Sequence, residues 1–258
     1  MNDTTVLWVH AHPEPDSLNG RLARHGMSHL RTTGATVLES DLYRMGWRPI
    51  LDRQGLAPEG EPFRPTEHVR AAFATGRLPA DVAAEQKKIR RADGIVVQFP
   101  LWWYGMPAML KGWFDRVFVA GFAFGTDPDT GRRLRFEHGP FIGKRALVVA
   151  TMGDRPASIG PRGKSGHFPE LMFGLLHGTF AYTGMSALPP FAVPSADFLD
   201  DAGVSQAAAE LTHRLDGLFT ERPLAYRPQF QGDYTDEWEL ADHVRPGEAG
   251  LSVHLHDG

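Results

Sequence analysis

The sequence predicts an α/β protein with a doubly wound parallel sheet of five strands and helices on both faces. Short apolar runs rich in β-branched residues alternate with longer helical patterns, as in repeated strand–helix–strand units. The run GIVVQF at 94–99 is apolar on both sides, which is typical of a strand buried in a parallel sheet. An aromatic loop follows this run and leads into another helix.

Each element has its own local signal in the sequence. Strands are predicted from runs of Val, Ile, Leu, Ala and Thr at 6–11, 36–40, 94–99, 145–151 and 186–193. Helices are predicted at 17–32, 67–74, 81–91, 107–119, 169–183 and 202–219. Gly34 marks the turn into the second strand, Pro100 ends the third, and Pro107 suits the first turn of the helix that follows.

The chain changes character near its carboxyl end. Residues 1–220 are predicted to form the α/β domain, whereas 221–258 carry prolines and scattered aromatic residues without a core pattern of their own. We expect this irregular C-terminal extension to pack on the main domain or on a second subunit.

Composition excludes several classes of protein. Lys and Arg number 27 against 31 Asp and Glu, so the net charge of −4 does not indicate a nucleic acid or an anionic membrane as partner. Cysteine is absent, which excludes disulfides and thiolate metal sites. No window approaches the roughly 20 apolar residues of a membrane span, and the amino terminus does not resemble a cleavable signal. We therefore expect a cytoplasmic protein without membrane insertion.

The loop between Pro100 and Pro107 is the first candidate for a binding site. It carries Trp102, Trp103 and Tyr104 at the carboxyl end of a strand, which is where open α/β sheets bind ligands. Packing of both tryptophans in the core is an equally good interpretation of the loop taken alone.

The loop after the first strand is the second candidate. His12, Ser17 and Asn19 can donate hydrogen bonds, and the helix that follows offers free backbone N–H groups to a diphosphate. Taken alone, the loop is better explained by helix capping through Asp16, Ser17 or Asn19, with His12 packed inside.

Four segments in order resemble the NAD(P)H:quinone oxidoreductase (DT-diaphorase) family, a branch of the flavodoxin-like fold. They are VLWVHAHPEPDSLNGRLA (6–23), ESDLYRMGWRPILDR (39–53), the segment 85–124 with FPLWWYGMPAMLKGWF, and AGLSVHLHDG (249–258). The resemblance implies a flavodoxin-like fold, two-electron transfer from NAD(P)H through a flavin to a quinone, and a homodimer. FAD is favoured over FMN because the resemblance is to the longer, tail-bearing members.

The same resemblance implies the site residues. The expected flavin contacts are His12, Ser17, Leu18, Asn19, Pro100, Leu101, Trp102, Trp103, Tyr104, Thr151 and Gly153. Of these, Trp103, Tyr104 and Gly153 are also expected to act in catalysis. Phe124 and Thr126 stand where the family lines its substrate pocket with tyrosines.

The chain also departs from the family pattern. Asp16 replaces a small hydroxyl residue, and its carboxylate must point away from a phosphate or be neutralised. The tyrosine and histidine of the family's proton relay align with Ile159 and Ser165, so His167 is the candidate to replace them.

Other interpretations stay open at this stage. An azo- or nitroreductase would share the mechanism, whereas an electron carrier or a regulatory subunit of a membrane transporter would not use it. No metal is expected, because the histidines lack a third ligand at suitable spacing. The physiological acceptor and the preference for NADH or NADPH are not encoded in any motif.

Overall fold

This computed structural model describes residues 4–256 of the chain. Within these residues, all strands of the central sheet run parallel to one another. Its strands are β1 (Thr5–His10), β2 (Thr36–Asp41), β3 (Gly94–Pro100), β6 (Arg145–Thr151), β7 (Ser186–Ala187) and β8 (Phe191–Val193). The order is β2-β1-β3-β6, and both β7 and β8 pair with β6. The predicted flavodoxin-like α/β fold is confirmed.

The fifth position of the sheet is divided between two short strands. The sequence predicts one strand at 186–193, but Leu188, Pro189 and Pro190 separate β7 from β8. Because proline has no N–H to donate to a strand ladder, the two prolines interrupt the pairing with β6.

Helices cover both faces of the sheet. They are α1 (Leu18–Thr32), α2 (Pro65–Ala74), α3 (Ala80–Arg91), α4 (Ala108–Val117) and α7 (Asp201–Asp216). Alternate residues of a strand face opposite sides of the sheet. On one face, Trp8 and Val96 pack in the apolar layer under α1 and α7. On the other face, Val97 and Phe99 pack with Trp113 of α4. Two buried cores therefore hold the strand ends in place.

The predicted helix at 169–183 is wrong as one continuous element. The segment divides into α5 (Phe168–Leu171), α6 (Phe173–Leu175), a π-helical turn at Leu176–Phe180 and a 3₁₀ turn at Ala181–Thr183. Gly174 and Gly178 weaken the helix, and the Thr179 hydroxyl donates to the Gly174 carbonyl at 3.1 Å. π-Helical turns are frequent at functional sites.

A hairpin that the sequence analysis did not predict connects α4 to β6. Its strands are β4 (Gly125–Thr126) and β5 (Arg133–Leu134). The Asp127 carboxylate accepts from the backbone N–H groups of Asp129 and Thr130, and Gly131 has a φ of 69° that permits the turn.

The extension after residue 220 packs on the α/β domain. Leu224 donates its N–H to the Ala187 carbonyl at 2.8 Å, and the Tyr226 ring lies 4.8 Å from that of His177. A 3₁₀ turn at Leu251–His254 returns along this segment. Within residues 4–256, no helix is long and apolar enough to cross a membrane.

Candidate active site

The two loops identified from the sequence meet at the carboxyl edge of the sheet. β1 and β3 are neighbours, with His10 paired to Gln98, so the loops that follow them start side by side. The ring centroids of His12 and Trp102 are 6.3 Å apart. In open α/β sheets this edge is where ligands bind.

The aromatic loop is a two-residue turn in which both central residues are left-handed. The N–H of Trp102 donates to the Gly105 carbonyl and that of Gly105 to the Trp102 carbonyl, both at 3.0 Å. Trp103 has a φ of 52° and Tyr104 of 55°, which costs about 1–2 kcal/mol for each non-glycine residue. Trp103 is 99% exposed, so the interpretation of both tryptophans as core residues is wrong.

The turn leaves backbone donors facing out of the fold. The N–H groups of Leu101 and Trp102 are used, because they donate to the carbonyls of Thr151 and Gly105. Within residues 4–256, the N–H groups of Trp103 and Tyr104 have no internal acceptor, nor do those of Gly153 and Asp154. Pro100 pairs with Thr151, so these four donors belong to neighbouring strand ends. Leu101 and Trp102 as ligand contacts stay a prediction.

The first loop ends in a capped helix. The Ser17 hydroxyl oxygen accepts from the Gly20 N–H at 3.1 Å, which confirms the capping interpretation for this residue. The N–H groups of Leu18 and Asn19 have no acceptor among the described residues. A Cβ at Gly20 would lie 1.8 Å from the Pro15 carbonyl oxygen, so only glycine allows the loop to close this tightly over α1.

Asp16 in this loop forms an ion pair with a residue of α1. Arg24, two turns along α1, lies 3.3 Å from the Asp16 carboxylate. The carboxylate itself is largely exposed, with 85% of the side chain accessible. Asp16 therefore does not prevent the helix terminus from holding a phosphate.

Asn19 joins the two halves of the site. Its side-chain amide donates to the Thr151 hydroxyl, and the Gln98 amide donates to its backbone carbonyl at 2.8 Å. Trp8 donates to Gln98 at 3.0 Å, and this network is buried. Asn19 and Thr151 thus bond to each other and fix the distance between the first loop and the end of β6.

A groove of about 510 Å³ opens beside the aromatic turn. Its walls come from Tyr104, α4 and the broken helical segment, with Phe118, Phe124 and Leu175 among the apolar lining residues. Lys111 and Asp115 form an ion pair within the lining. Phe124 lines this groove, whereas Thr126 lies on β4, exposed and outside the lining. Their role in substrate binding stays a prediction.

Comparison with known proteins gives consistent matches over nearly the whole chain. Residues 4–215 match a family model described as the flavodoxin-like fold. A ribosyldihydronicotinamide dehydrogenase-like protein of Penicillium crustosum is 37% identical over 255 residues, which cover 97% of this chain and 94% of the relative. NAD(P)H dehydrogenase (quinone) 1 of Rattus norvegicus is 32% identical over 262 residues, covering 98% and 93%. The chain belongs to the NAD(P)H:quinone oxidoreductase family.

A solved structure supports the same assignment. The crystal structure of a Klebsiella pneumoniae protein described as a candidate quinone reductase has a TM-score of 0.93 and 41% identity, covering 98% of this chain and 100% of that one. The prediction that the chain is an oxidoreductase of the quinone oxidoreductase family is confirmed.

Ser165 contacts the aromatic turn in this quinone oxidoreductase family member. The Tyr104 hydroxyl donates to the Ser165 hydroxyl at 3.1 Å, and Ser165 donates to the Asp154 carboxylate at 2.7 Å. Ser158 also donates to Asp154, at 3.2 Å. The sequence gives no signal for Asp154 and Ser158, because a chain of hydroxyl groups lacks the pattern of a titrating pair.

His167 precedes α5 and is only partly buried. No hydrogen bond or ring contact joins its side chain to Tyr104 or Asp154 in the described part of the chain. Its participation in the site stays a prediction.

A cluster that could hold a metal lies at the ends of β1 and β2. His10, Glu39 and Asp41 each place a ligand atom within 4.8 Å of the others. Arg44 bonds Glu39 at 2.7 Å and lies 3.8 Å from Asp41. Burial raises the pKa of Glu39, but the hydrogen bonds from Arg44 and His10 outweigh it and lower that pKa overall. The cluster is already compensated by a guanidinium, and the expectation of no metal stays a prediction.

Proposed function

We propose that this protein is a flavin-dependent NAD(P)H:quinone oxidoreductase. One observation carries the proposal: the left-handed turn at Trp103 and Tyr104 presents aromatic surface and unpaired N–H groups beside an open helix terminus. Backbone strain of this kind persists where the surrounding structure enforces it for a purpose. A flat ring bearing a diphosphate matches both parts of the arrangement.

The residues fit a flavin on three counts. The N–H groups of Leu18 and Asn19 and the Ser17 hydroxyl suit a diphosphate at the positive end of α1. The N–H groups of Gly153 and Asp154 suit the polar edge of an isoalloxazine ring. Trp103 and Tyr104 supply the aromatic surface beside it.

Bound flavin supplies the two-electron hydride chemistry that joins NAD(P)H oxidation to quinone reduction. The protein contributes position and electrostatics. Its unpaired N–H groups favour negative charge at the ring edge, and the Tyr104–Ser165–Asp154 chain holds a proton at the Tyr104 hydroxyl. The apolar residues that line the groove beside Tyr104 would exclude water from a nicotinamide or a flat acceptor once the groove is covered.

We infer FAD as the cofactor and a homodimer as the functional unit. FAD is favoured because the chain resembles the longer, tail-bearing members of the family. We assign the C-terminal extension as 221–258 and the catalytic domain as 1–220. A second copy is the proposed cover for the groove, because Gly174 and Gly178 line it and a Cβ added to either would meet nothing within 4 Å. Azo and nitro compounds are alternative acceptors with the same mechanism.

The cofactor assignment is tested by reconstitution. The flavin is removed from the purified protein, and FAD and FMN are titrated separately by calorimetry. We expect FAD to bind at least about tenfold more tightly, because it adds a second phosphate and an adenosine to the contacts that FMN can make. Equal or tighter binding of FMN would overturn the choice of FAD, and failure of both would overturn the flavin proposal.

A further inference from the structure

The groove beside Tyr104 contains a hydroxyl group that the protein itself does not use. The lining residues that carry a hydroxyl are Tyr104, Thr179, Tyr182 and Thr183. All but Tyr182 donate to an acceptor within the protein. Among residues 4–256, the Tyr182 hydroxyl has no hydrogen-bond partner, and its oxygen is not buried. Lys111 and Asp115 in the same lining bond to each other, so the Tyr182 hydroxyl is the uncharged side-chain group left for a ligand.

Aromatic contacts hold the ring of Tyr182 in place. The ring lies edge-on to Phe124, with the two centroids 6.1 Å apart, and edge-on to Phe136, with the centroids 5.2 Å apart. Edge-to-face pairs of this kind are favourable beyond the area that they bury. Because a rotation of the side chain would break both contacts, the hydroxyl has a defined position at the groove.

The broken helical segment sets the direction of Tyr182. The π-helical turn at Leu176–Phe180 takes in one more residue than an α-helical turn. One extra residue rotates the side chains that follow by about 100° around the helix axis. Tyr182 comes next, in the 3₁₀ turn at Ala181–Thr183, which Gly184 ends with a φ of 91°. The place of Tyr182 in the groove therefore depends on the π-helical turn.

We propose that Tyr182 determines the choice of acceptor by donating a hydrogen bond to a carbonyl oxygen of the quinone. Phe124 stands where the family resemblance implies a tyrosine, and Tyr182 packs against it and returns a phenol hydroxyl to the same wall of the groove. A mostly apolar groove with one fixed donor suits a flat ring that carries a carbonyl at its edge. Once the groove is covered, an acceptor without a carbonyl would leave this donor unpaired, which is unfavourable.

This inference rests on the proposed function for the identity of the acceptor as a quinone. NAD(P)H supplies a hydride and solvent supplies a proton, so the quinone becomes a hydroquinone and the nucleotide is oxidised. The Tyr182 hydroxyl keeps its own proton throughout, because it donates a hydrogen bond and no bond within it breaks. Its contribution is to hold the quinone in one orientation in the groove.

Equilibrium dialysis of the oxidised, flavin-saturated protein tests the hydrogen bond without turnover. Menadione and 2-methylnaphthalene share their fused rings and methyl group, but 2-methylnaphthalene has no carbonyl. Tyr182→Phe should weaken menadione binding about three- to tenfold, because one hydrogen bond is lost while the ring contacts stay. Binding of 2-methylnaphthalene should be the same in both proteins. An equal loss for the two probes, or menadione binding that the substitution leaves unchanged, would overturn the proposal.

Tyr43→Phe is the matched control. Tyr43 is also a partly buried tyrosine whose hydroxyl has no partner in the described part of the chain, but it lines a different cavity, beside His10 and Arg44. Menadione should bind to this variant as tightly as to wild type. A loss equal to that of Tyr182→Phe would show that the position in the groove does not matter and would refute the assignment.

Stopped-flow kinetics separate this inference from the proposed function. In Tyr182→Phe, we expect the flavin to bleach with NADH or NADPH as in wild type, but reoxidation should need about three- to tenfold more menadione to reach half its maximal rate. Slower bleaching with unchanged reoxidation would assign the hydrogen bond to the nicotinamide and overturn the proposal. If neither nucleotide bleaches the wild-type flavin, the proposed function fails, whereas the dialysis still decides whether Tyr182 binds the carbonyl.

Discussion

Trp103 and Tyr104 show how two residues in an uncommon conformation can define a binding surface. Tight two-residue turns with both φ values positive favour Asn and Gly, and here they carry two aromatic side chains. The sequence shows the aromatic residues and their place after β3, but it does not show the sign of φ. The available N–H groups consequently lie at Trp103 and Tyr104, whereas those of Leu101 and Trp102 donate to carbonyls within the protein.

Removal of the exposed indole should weaken flavin binding. Trp103→Ala removes an aromatic contact worth about 0.5–1.5 kcal/mol, so FAD should dissociate about two- to tenfold more readily. Trp238→Ala removes an equally large side chain outside the proposed flavin loops and should leave FAD affinity unchanged. Fluorescence titration of both apoproteins with FAD makes the comparison, and equal losses would contradict the placement of the ring at Trp103.

Ser165 acts as a positioning residue for the Tyr104 hydroxyl. Ser165→Ala separates Tyr104 from the Asp154 carboxylate, so kcat for quinone reduction should fall about tenfold and its pH profile should shift, with KM little changed. Ser158→Ala is the matched control, because it also removes a hydroxyl from Asp154 but leaves the chain to Tyr104 intact. Identical pH profiles for wild type and Ser165→Ala would refute this role.

At the scale of elements, the boundaries were predictable wherever a core strand or an amphipathic helix lies between turn residues. β6 was predicted at its observed bounds, and α1 differs by its capping residue alone. The prediction was wrong at 169–183, where glycines and a threonine hydroxyl reorganise the backbone, and it missed the β4–β5 hairpin, which is too short to show a period of two. Tertiary contacts, rather than local propensity, decide such segments.

The packing of the extension on the π-helical turn should respond to acid. Burial, followed by the nearby His254, lowers the pKa of His177 to about 4 from an ordinary 6.5. The aromatic rings of Phe173, Tyr226 and Phe136 and the imidazole of His254 surround it. Burial, followed by Arg227, lowers the pKa of His254 in turn. Neutral His177 thus stabilises the fold fully above pH 6.5, and this contribution is lost as the pH falls towards 4.

The consequence is a measurable difference in thermal unfolding. His177→Phe keeps the ring stacking but cannot be protonated. When the pH falls from 7 to 4.5, the free energy of unfolding of wild type should therefore drop by about 1 kcal/mol more than that of the variant, which corresponds to about 2–4 °C more in Tm. His213→Gln changes an exposed histidine and should follow wild type. Parallel Tm curves for wild type and His177→Phe would show that His177 does not link the extension to pH.

For the whole molecule, an open apolar groove next to the exposed Trp103 is what supports the proposed homodimer. This surface is formed by residues of α4 and of the broken helical segment. The sequence alone could not show it, because Gly174 and Gly178, which leave the groove open, look like ordinary helix breakers. Large apolar surfaces that a monomer leaves open are typical of subunit interfaces.

A charge placed in the groove should separate the proposed dimer. A Cβ at Gly178 meets nothing within 4 Å, so Gly178→Arg leaves the protomer intact but puts a guanidinium in the proposed interface. Sedimentation velocity should show a monomer at concentrations where wild type is dimeric. Ala202→Arg, on the exposed start of α7, should remain a dimer. A dimeric Gly178→Arg protein, or a monomeric wild type, would contradict the proposed assembly.

We propose that a flavin lies on the turn at Trp103 and Tyr104 and takes part in two-electron transfer to quinones. Anaerobic stopped-flow spectroscopy of the FAD-saturated protein tests it most directly, with NADH or NADPH added first and the neutral quinone menadione second. We expect the flavin absorbance near 450 nm to bleach with nicotinamide and to return fully with menadione, with no long-lived radical spectrum. A folded protein that binds no flavin, or whose bound flavin neither nucleotide can bleach, would contradict this proposal.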